Sequence, residues 1–129
     1  MILHLTDVSS EPLHAQIRTQ IRALILAGDL GEGEALPSIR GLAKQERVSV
    51  ITVQRAYEDL ERESLIQARR GKGFFVVDIS SKRKVEMAEE KLQQTLADAV
   101  EAARAEGLSD EQITTVFGRL VDTEQGTDR

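Results

Sequence analysis

Residues 36–76 constrain this chain more than any other stretch. They run from Leu-Pro-Ser-Ile-Arg-Gly-Leu-Ala, through Val-Ser-Val-Ile-Thr-Val-Gln-Arg-Ala-Tyr-Glu-Asp-Leu-Glu, to Leu-Ile-Gln-Ala-Arg-Arg-Gly-Lys-Gly-Phe-Phe-Val. Ser38 predicts an N-cap, because a serine oxygen there accepts from an amide of the first helical turn that has no partner in the helix. Ile39, Leu42 and Ala43 then face inward. Val48-Ser49 reads as a new cap, so this helix is short. Ser49 starts a further helix over residues 50–63, with Val53, Ala56, Tyr57 and Leu60 inward. At about 100° per residue, Ile51, Thr52, Gln54 and Arg55 point away from that core. Residues 65–68 and 74–77 read as strands. Arg70-Gly71-Lys72-Gly73 between them is a hairpin turn whose two glycines accept positive φ. Two helices joined by a short turn, with a hairpin behind, form a helix-turn-helix with a wing. That shape suits a DNA duplex.

The flanking segments complete a mainly α fold with one small β-hairpin. Residues 1–9 read as a short extended arm. Ser9 or Ser10 caps a helix with Glu11 and Pro12 in its first turn, where a missing N–H is harmless and a negative charge meets the helix dipole. Leu13, Ile17, Ile21, Leu24 and Ile25 form its apolar stripe, Gly28 ends it, and 29–35 reads as a loop. Residues 78–81 break the pattern and predict a boundary. The winged helix-turn-helix domain is then 1–78, and 79–129 is a helical region. Val85, Ala88, Leu92, Leu96, Ala99 and Ala103 repeat along a long helix over residues 81–106 with heptad-like spacing. Gly107 stops it. Ser109 with Gln112 is a capping box for a last helix, whose apolar face is Ile113, Val116, Phe117, Leu120 and Val121. The polar tail from Thr123 is expected to fray.

Charge is unevenly placed. Residues 1–78 carry ten Lys/Arg and eleven Asp/Glu, net −1, while 79–129 carry seven and eleven, net −4. Arg69, Arg70 and Lys72 cluster within four positions of the nearly neutral part. Such a domain can meet a polyanion locally while the acidic remainder repels it elsewhere. The absence of cysteine excludes disulfides and thiolate metal sites. No signal peptide and no membrane-length apolar run is visible, so a cytoplasmic protein without a membrane partner is expected. His4 and His14 are the only histidines and sit in no triad or metal spacing. The carboxylates are spread along helix faces, and Gly71-x-Gly73 lacks the rest of a nucleotide loop. No enzyme, metal or cofactor is expected.

Leu36-Pro37-Ser38-Ile39-Arg40, Leu42-Ala43, Val48-Ser49, Thr52-Val53, Arg55-Ala56-Tyr57, Leu60-Glu61 and Gly71-Lys72-Gly73-Phe74-Phe75-Val76 together resemble the N-terminal signature of the GntR family of bacterial transcription regulators. Pro12-Leu13, Gln16-Ile17, Ile25 and Gly28 fit the same pattern. The short two-helix tail resembles the YtrA subfamily, and there is no room for the larger ligand-binding domain of other branches. The resemblance implies a winged helix-turn-helix repressor acting as a homodimer on an inverted-repeat operator. It also implies release by an unidentified small-molecule effector. The chain departs from the pattern at Val50 and Gln54, where some members carry arginine, and at Glu63-Ser64-Leu65, where Arg-Gly-Leu is common.

The residues expected at DNA are Arg40, Ser49, Ile51, Thr52, Gln54 and Arg55, with Arg69, Arg70, Lys72 and Gly73 on the wing. Each has a plainer role open to it. Arg40 could pair with Glu46 or Glu61, and Arg55 with Glu58 or Asp59. Thr52 could cap its helix, Gln54 could be solvated, and charged hairpin tips are common. Ile51 gains nothing exposed on a monomer, whereas a thymine methyl in the major groove would bury it. Scattered exposed apolar residues are nonetheless ordinary. Val85, Ala88, Leu92, Leu96, Ala99, Ala103, Ile113, Val116, Phe117 and Leu120 are expected to meet a second copy of the chain. The competing reading is a protein-interaction module that uses the long helix for a different partner and binds no specific DNA.

Overall fold

The computed structural model describes residues 1–127. Its elements are α1 (Leu13–Leu26), α2 (Ile39–Glu46), α3 (Val50–Arg62), β1 (Ile66–Arg69), β2 (Gly73–Val76), α4 (Ser81–Ala105) and α5 (Asp110–Thr127). They fall into two compact units, Met1–Glu86 and Met87 onward.

In the first unit α1 and α2 both pack on α3, and α3 packs on β1. The core is aliphatic around one phenol. Ile17, Ile21, Ile25, Leu42, Val53, Tyr57, Leu60, Leu65 and Ile66 are fully buried. Each such aliphatic side chain contributes about 1.5–3 kcal/mol. With Ala56, also buried, these include the inward positions predicted on α3, so its opposite face is left to solvent.

The start of α1 differs from expectation. Pro12 occupies the N-cap position without a side-chain cap, and no acidic residue lies in the first turn. Ser9 Oγ accepts from Glu11 N at 3.1 Å, which closes a local turn instead of capping the helix. The Pro12 carbonyl accepts from Ala15 N and Gln16 N. The arm is held along α1 by two glutamines. Gln16 Oε1 accepts from Thr6 N and its Nε2 donates to Thr6 O, while Gln20 does the same for His4 at 2.8 Å in both directions.

Four helices end in a left-handed residue that turns the chain back. Gly28 (φ +86°) follows α1 and Gly107 (φ +95°) follows α4. After α2 the position is taken by Arg47 (φ 57°), with Val48 N donating to Ala43 O. After α3 it is Ser64 (φ 63°), with Leu65 N donating to Leu60 O and Ser64 N to Glu61 O. This is the two-bond C-cap in which glycine is the usual residue, because it carries no Cβ penalty there.

The antiparallel hairpin pairs Ile66 with Val76 and Arg69 with Gly73. Both strands lie one residue away from the predicted bounds, since Leu65 is used by the cap of α3. Lys72 N donates to Arg69 O at 2.8 Å across the tip, with Gly71 and Gly73 at positive φ. The predicted loop is not all loop. Ala35 bridges Phe75, Leu36 N donates to Phe74 O, and Val76 N donates to Glu34 O, so residues 33–36 line the outer edge of β2.

In the second unit α4 continues to Ala105 and turns through Gly107 and Leu108 into α5. The predicted capping box is present: Gln112 N donates to Ser109 Oγ and Ser109 N to Gln112 Oε1. Arg104 Nε donates to Asp110 across the turn at 2.9 Å. Helix α5 reaches Thr127, beyond the expected fraying point at Thr123, and residues 128–129 of that tail lie outside the described residues. Met87 is the one buried side chain among those described in this unit.

Candidate nucleic-acid interface

The turn between α2 and α3 is set by two serines and one arginine. Ser38 Oγ accepts from Gly41 N at 2.9 Å, and Ser49 Oγ accepts from Thr52 N at 3.1 Å. A Cβ at Gly41 would stand 2.8 Å from Ser38 Oγ, so the first cap is built around the absence of a side chain there. Arg47 in the left-handed region lets the chain leave α2 and enter the Ser49 cap within two residues.

The outward face of α3 is thus fixed from its first residue. Ile51 is 75% exposed and its neighbour Val50 is 43% exposed. Gln54 and Arg55 are also exposed. Thr52 is half-buried and its hydroxyl lies 2.7 Å from Ser49 Oγ, so these two oxygens form one polar pair at the helix start. Gln54 Nε2 donates to Glu58 Oε1 at 3.1 Å, which aims the amide along the helix.

The carboxylates near this face bond partners other than Arg40 and Arg55. Glu46 accepts from Gln45, Asp59 pairs with Arg62 at 2.7 Å, Glu61 accepts from Ala68 N, and Glu58 holds Gln54. Arg40 and Arg55 make none of the ion pairs considered for them, and both are exposed. On the wing, the Arg69 guanidinium stacks over the Phe75 ring at 4.4 Å, a cation–π contact that fixes its direction. Arg70 and Lys72 flank Gly71 at the exposed tip.

Tyr57 ties the pieces together. Its hydroxyl donates to the Pro37 carbonyl at 2.8 Å, and its ring meets Phe74 edge-on with centroids 5.1 Å apart. Burial pushes the phenol well above its ordinary value. Sequence reasoning placed Tyr57 only in the core. It missed the roles of Gly41 and Glu58, which depend on side-chain rotamers within one helical turn, and of Glu61, which depends on a neighbouring strand. It also missed the edge strand at 33–36, whose glycines and glutamates resemble loop.

The second unit presents a different surface. Leu96, Ala99, Val100 and Ala103 of α4 face Ile113, Val116, Phe117 and Leu120 of α5 across an open apolar groove. Leu92, Val116, Phe117 and Leu120 are exposed, while Leu96, Ala103 and Ile113 are half-buried. Among the described residues no three His, Asp or Glu side chains converge on a metal-sized site, and no helix is long and apolar enough to cross a membrane.

Comparison with known proteins adds four observations. The family model described as bacterial regulatory proteins, gntR family, matches residues 13–76. The HTH-type transcriptional repressor YtrA of Bacillus subtilis is 38% identical over 95 residues, covering 70% of this chain and 73% of that protein. A GntR family transcriptional regulator from Listeria monocytogenes superposes with a TM-score of 0.69 at 29% identity, over 89% of this chain and 98% of that one. The AraR DNA-binding domain in complex with an operator superposes with a TM-score of 0.52 at 28% identity, over 58% of this chain and 93% of that one.

Proposed function

The chain belongs to the gntR family of bacterial regulatory proteins and is a DNA-binding transcription regulator, not an enzyme; from that premise we propose how its own residues do the work. Helix α3 enters the major groove with Ile51, Gln54 and Arg55 toward base edges, and Ser49 and Thr52 at its N-terminus meet a phosphate. Arg40, Arg70 and Lys72 neutralise flanking phosphates, Arg69 adds to the wing, and Gly73 lets its backbone approach closely. One observation carries this reading. Among the described residues the exposed guanidinium groups of Arg40 and Arg55 form no ion pair, while the nearby carboxylates bond Gln45, Gln54, the Ala68 amide and Arg62.

The protein acts as a homodimer on an inverted repeat, as a repressor in the cytoplasm. Residues 1–78 form the DNA-binding part and 79–129 the dimerisation part. The support is the second unit, whose apolar side chains bury almost nothing within the chain. Val85, Ala88, Leu92, Leu96, Ala99 and Ala103 of α4, with Ile113, Val116, Phe117 and Leu120 of α5, supply the contact. An unidentified small molecule that alters this contact would change the spacing of the two reading heads and so the affinity for operator.

Fluorescence anisotropy on a duplex from upstream of its own gene tests the reading, with a shuffled duplex of equal length as control. At least about a hundredfold preference at two chains per site supports it. Equal binding of both duplexes and a concentration-independent monomer mass would turn attention to the long helix as a docking element for another protein.

A further inference from the structure

The wing has two edges, and different devices close them. The outer edge of β2 is covered by residues 33–36. On β1 the closure is a single side chain from another element: Ala68 N donates to Glu61 Oε2 at 3.1 Å, seven residues away along the chain. Glu61 stands in the last turn of α3, and Ala68 lies two residues before Arg70 at the tip. A two-stranded hairpin of four residues per strand has little rigidity of its own, and an open edge amide seeks an acceptor. A carboxylate among groups that meet a polyanion is unfavourable for binding in itself, so its presence calls for a compensating role. A charge-assisted bond of this kind is roughly twice as strong as a neutral one.

We propose that Glu61 is the positioning residue of the wing. Its carboxylate fastens β1 to the end of α3 and so fixes Arg70 and Lys72 at a set offset from Ile51 and Gln54. This rests on the DNA-binding role proposed for α3 and the wing. Glu61 itself touches no nucleotide. It converts the wing from a tethered cation cluster into one with a register, so that its phosphate contacts and the base contacts of α3 are made together.

The test uses the full chain and a duplex enriched from a randomised pool by the wild-type protein. Glu61→Leu and Glu61→Gln are each measured over a salt series, alone and with Arg70→Ala/Lys72→Ala. Glu61→Leu is expected to weaken binding about three- to tenfold and to lower the log–log salt slope by about 1–2. Glu61→Gln, which keeps an acceptor, restores most of both. In the Arg70→Ala/Lys72→Ala background Glu61→Leu adds no further loss, because the wing contacts it would position are already gone. In the free protein the Ala68 amide exchanges faster in Glu61→Leu than in Glu61→Gln. Equal losses from Glu61→Leu in both backgrounds, or wild-type affinity and slope, overturn the proposal. A pool with no enriched duplex instead removes the DNA-binding role on which it rests, and an Arg70→Ala/Lys72→Ala protein that binds as wild type removes the wing's part in that role.

Discussion

The Tyr57 hydroxyl donates to the Pro37 carbonyl at 2.8 Å, joining the middle of α3 to the residue that precedes the cap of α2. With the Phe74 ring edge-on beside it, one side chain links both helices of the reading head to the wing. Tyr57 is the only tyrosine in a chain without tryptophan. Burial raises its phenol above the ordinary 10.0. The folded state therefore holds the proton while the unfolded state releases it near 10, so its contribution is full below that pH and is lost as pH rises beyond it. An alkaline titration should show tyrosinate absorbance rising only together with loss of far-ultraviolet dichroism. Tyr57→Phe should be about 1 kcal/mol less stable at neutral pH, and its stability should fall less steeply above pH 10.

Ser64 holds a left-handed conformation at the end of α3. Ser64→Gly removes the Cβ penalty at the expense of some chain entropy, for a net gain of about 0.5–1 kcal/mol. Urea denaturation should show a higher midpoint at unchanged slope. Lower stability would mean that the serine side chain does more at this turn than tolerate it.

Ile51 is exposed on the outward face of α3. Ile51→Ser should leave stability within about 0.5 kcal/mol. It should also flatten discrimination at one thymine position of the operator by about 1 kcal/mol. Competition binding against single-base variants of the operator reads this directly, and an unchanged preference profile sinks the assignment.

Arg40 stands exposed beside the Ser38 cap, with Glu46 and Glu61 both engaged elsewhere. Arg40→Ala should weaken binding to every duplex alike and reduce the log–log salt slope by about 0.9. A loss confined to one base position would instead make Arg40 a reader of sequence.

Leu120 is 63% exposed in a unit with almost no interior. Leu120→Lys should give a monomer by sedimentation at micromolar concentration while the first unit keeps its melting transition. Operator affinity should fall by more than tenfold as one half-site is lost. A dimer that persists would place the contact elsewhere on α4 and α5.

The parts of the fold legible in the sequence were those that local chemistry dictates. Ser38, Ser49 and Ser109 announced their helices because a hydroxyl before an apolar period has one dominant use. Gly28 and Gly107 marked helix ends because glycine accepts the left-handed turn. Arg47 and Ser64 occupy the same conformation without that signal, and there the tertiary fold overrides a local penalty. The start of α1 went unread for the opposite reason: Ser9 looks like a cap but spends its oxygen on a nearer amide. Of the outward face of α3, the positions came from helical periodicity, whereas the pairing of Gln54 with Glu58 and of Glu61 with Ala68 depends on rotamers and on a neighbouring strand.

The acidic residues around α3 are each occupied by a partner other than Arg40 or Arg55. An arriving polyanion then has no internal ion pair to break before it engages those guanidinium groups. The consequence is kinetic. Encounter should slow as ionic strength rises and these local cations are screened, while differences between one duplex and another appear mainly in how long the protein stays.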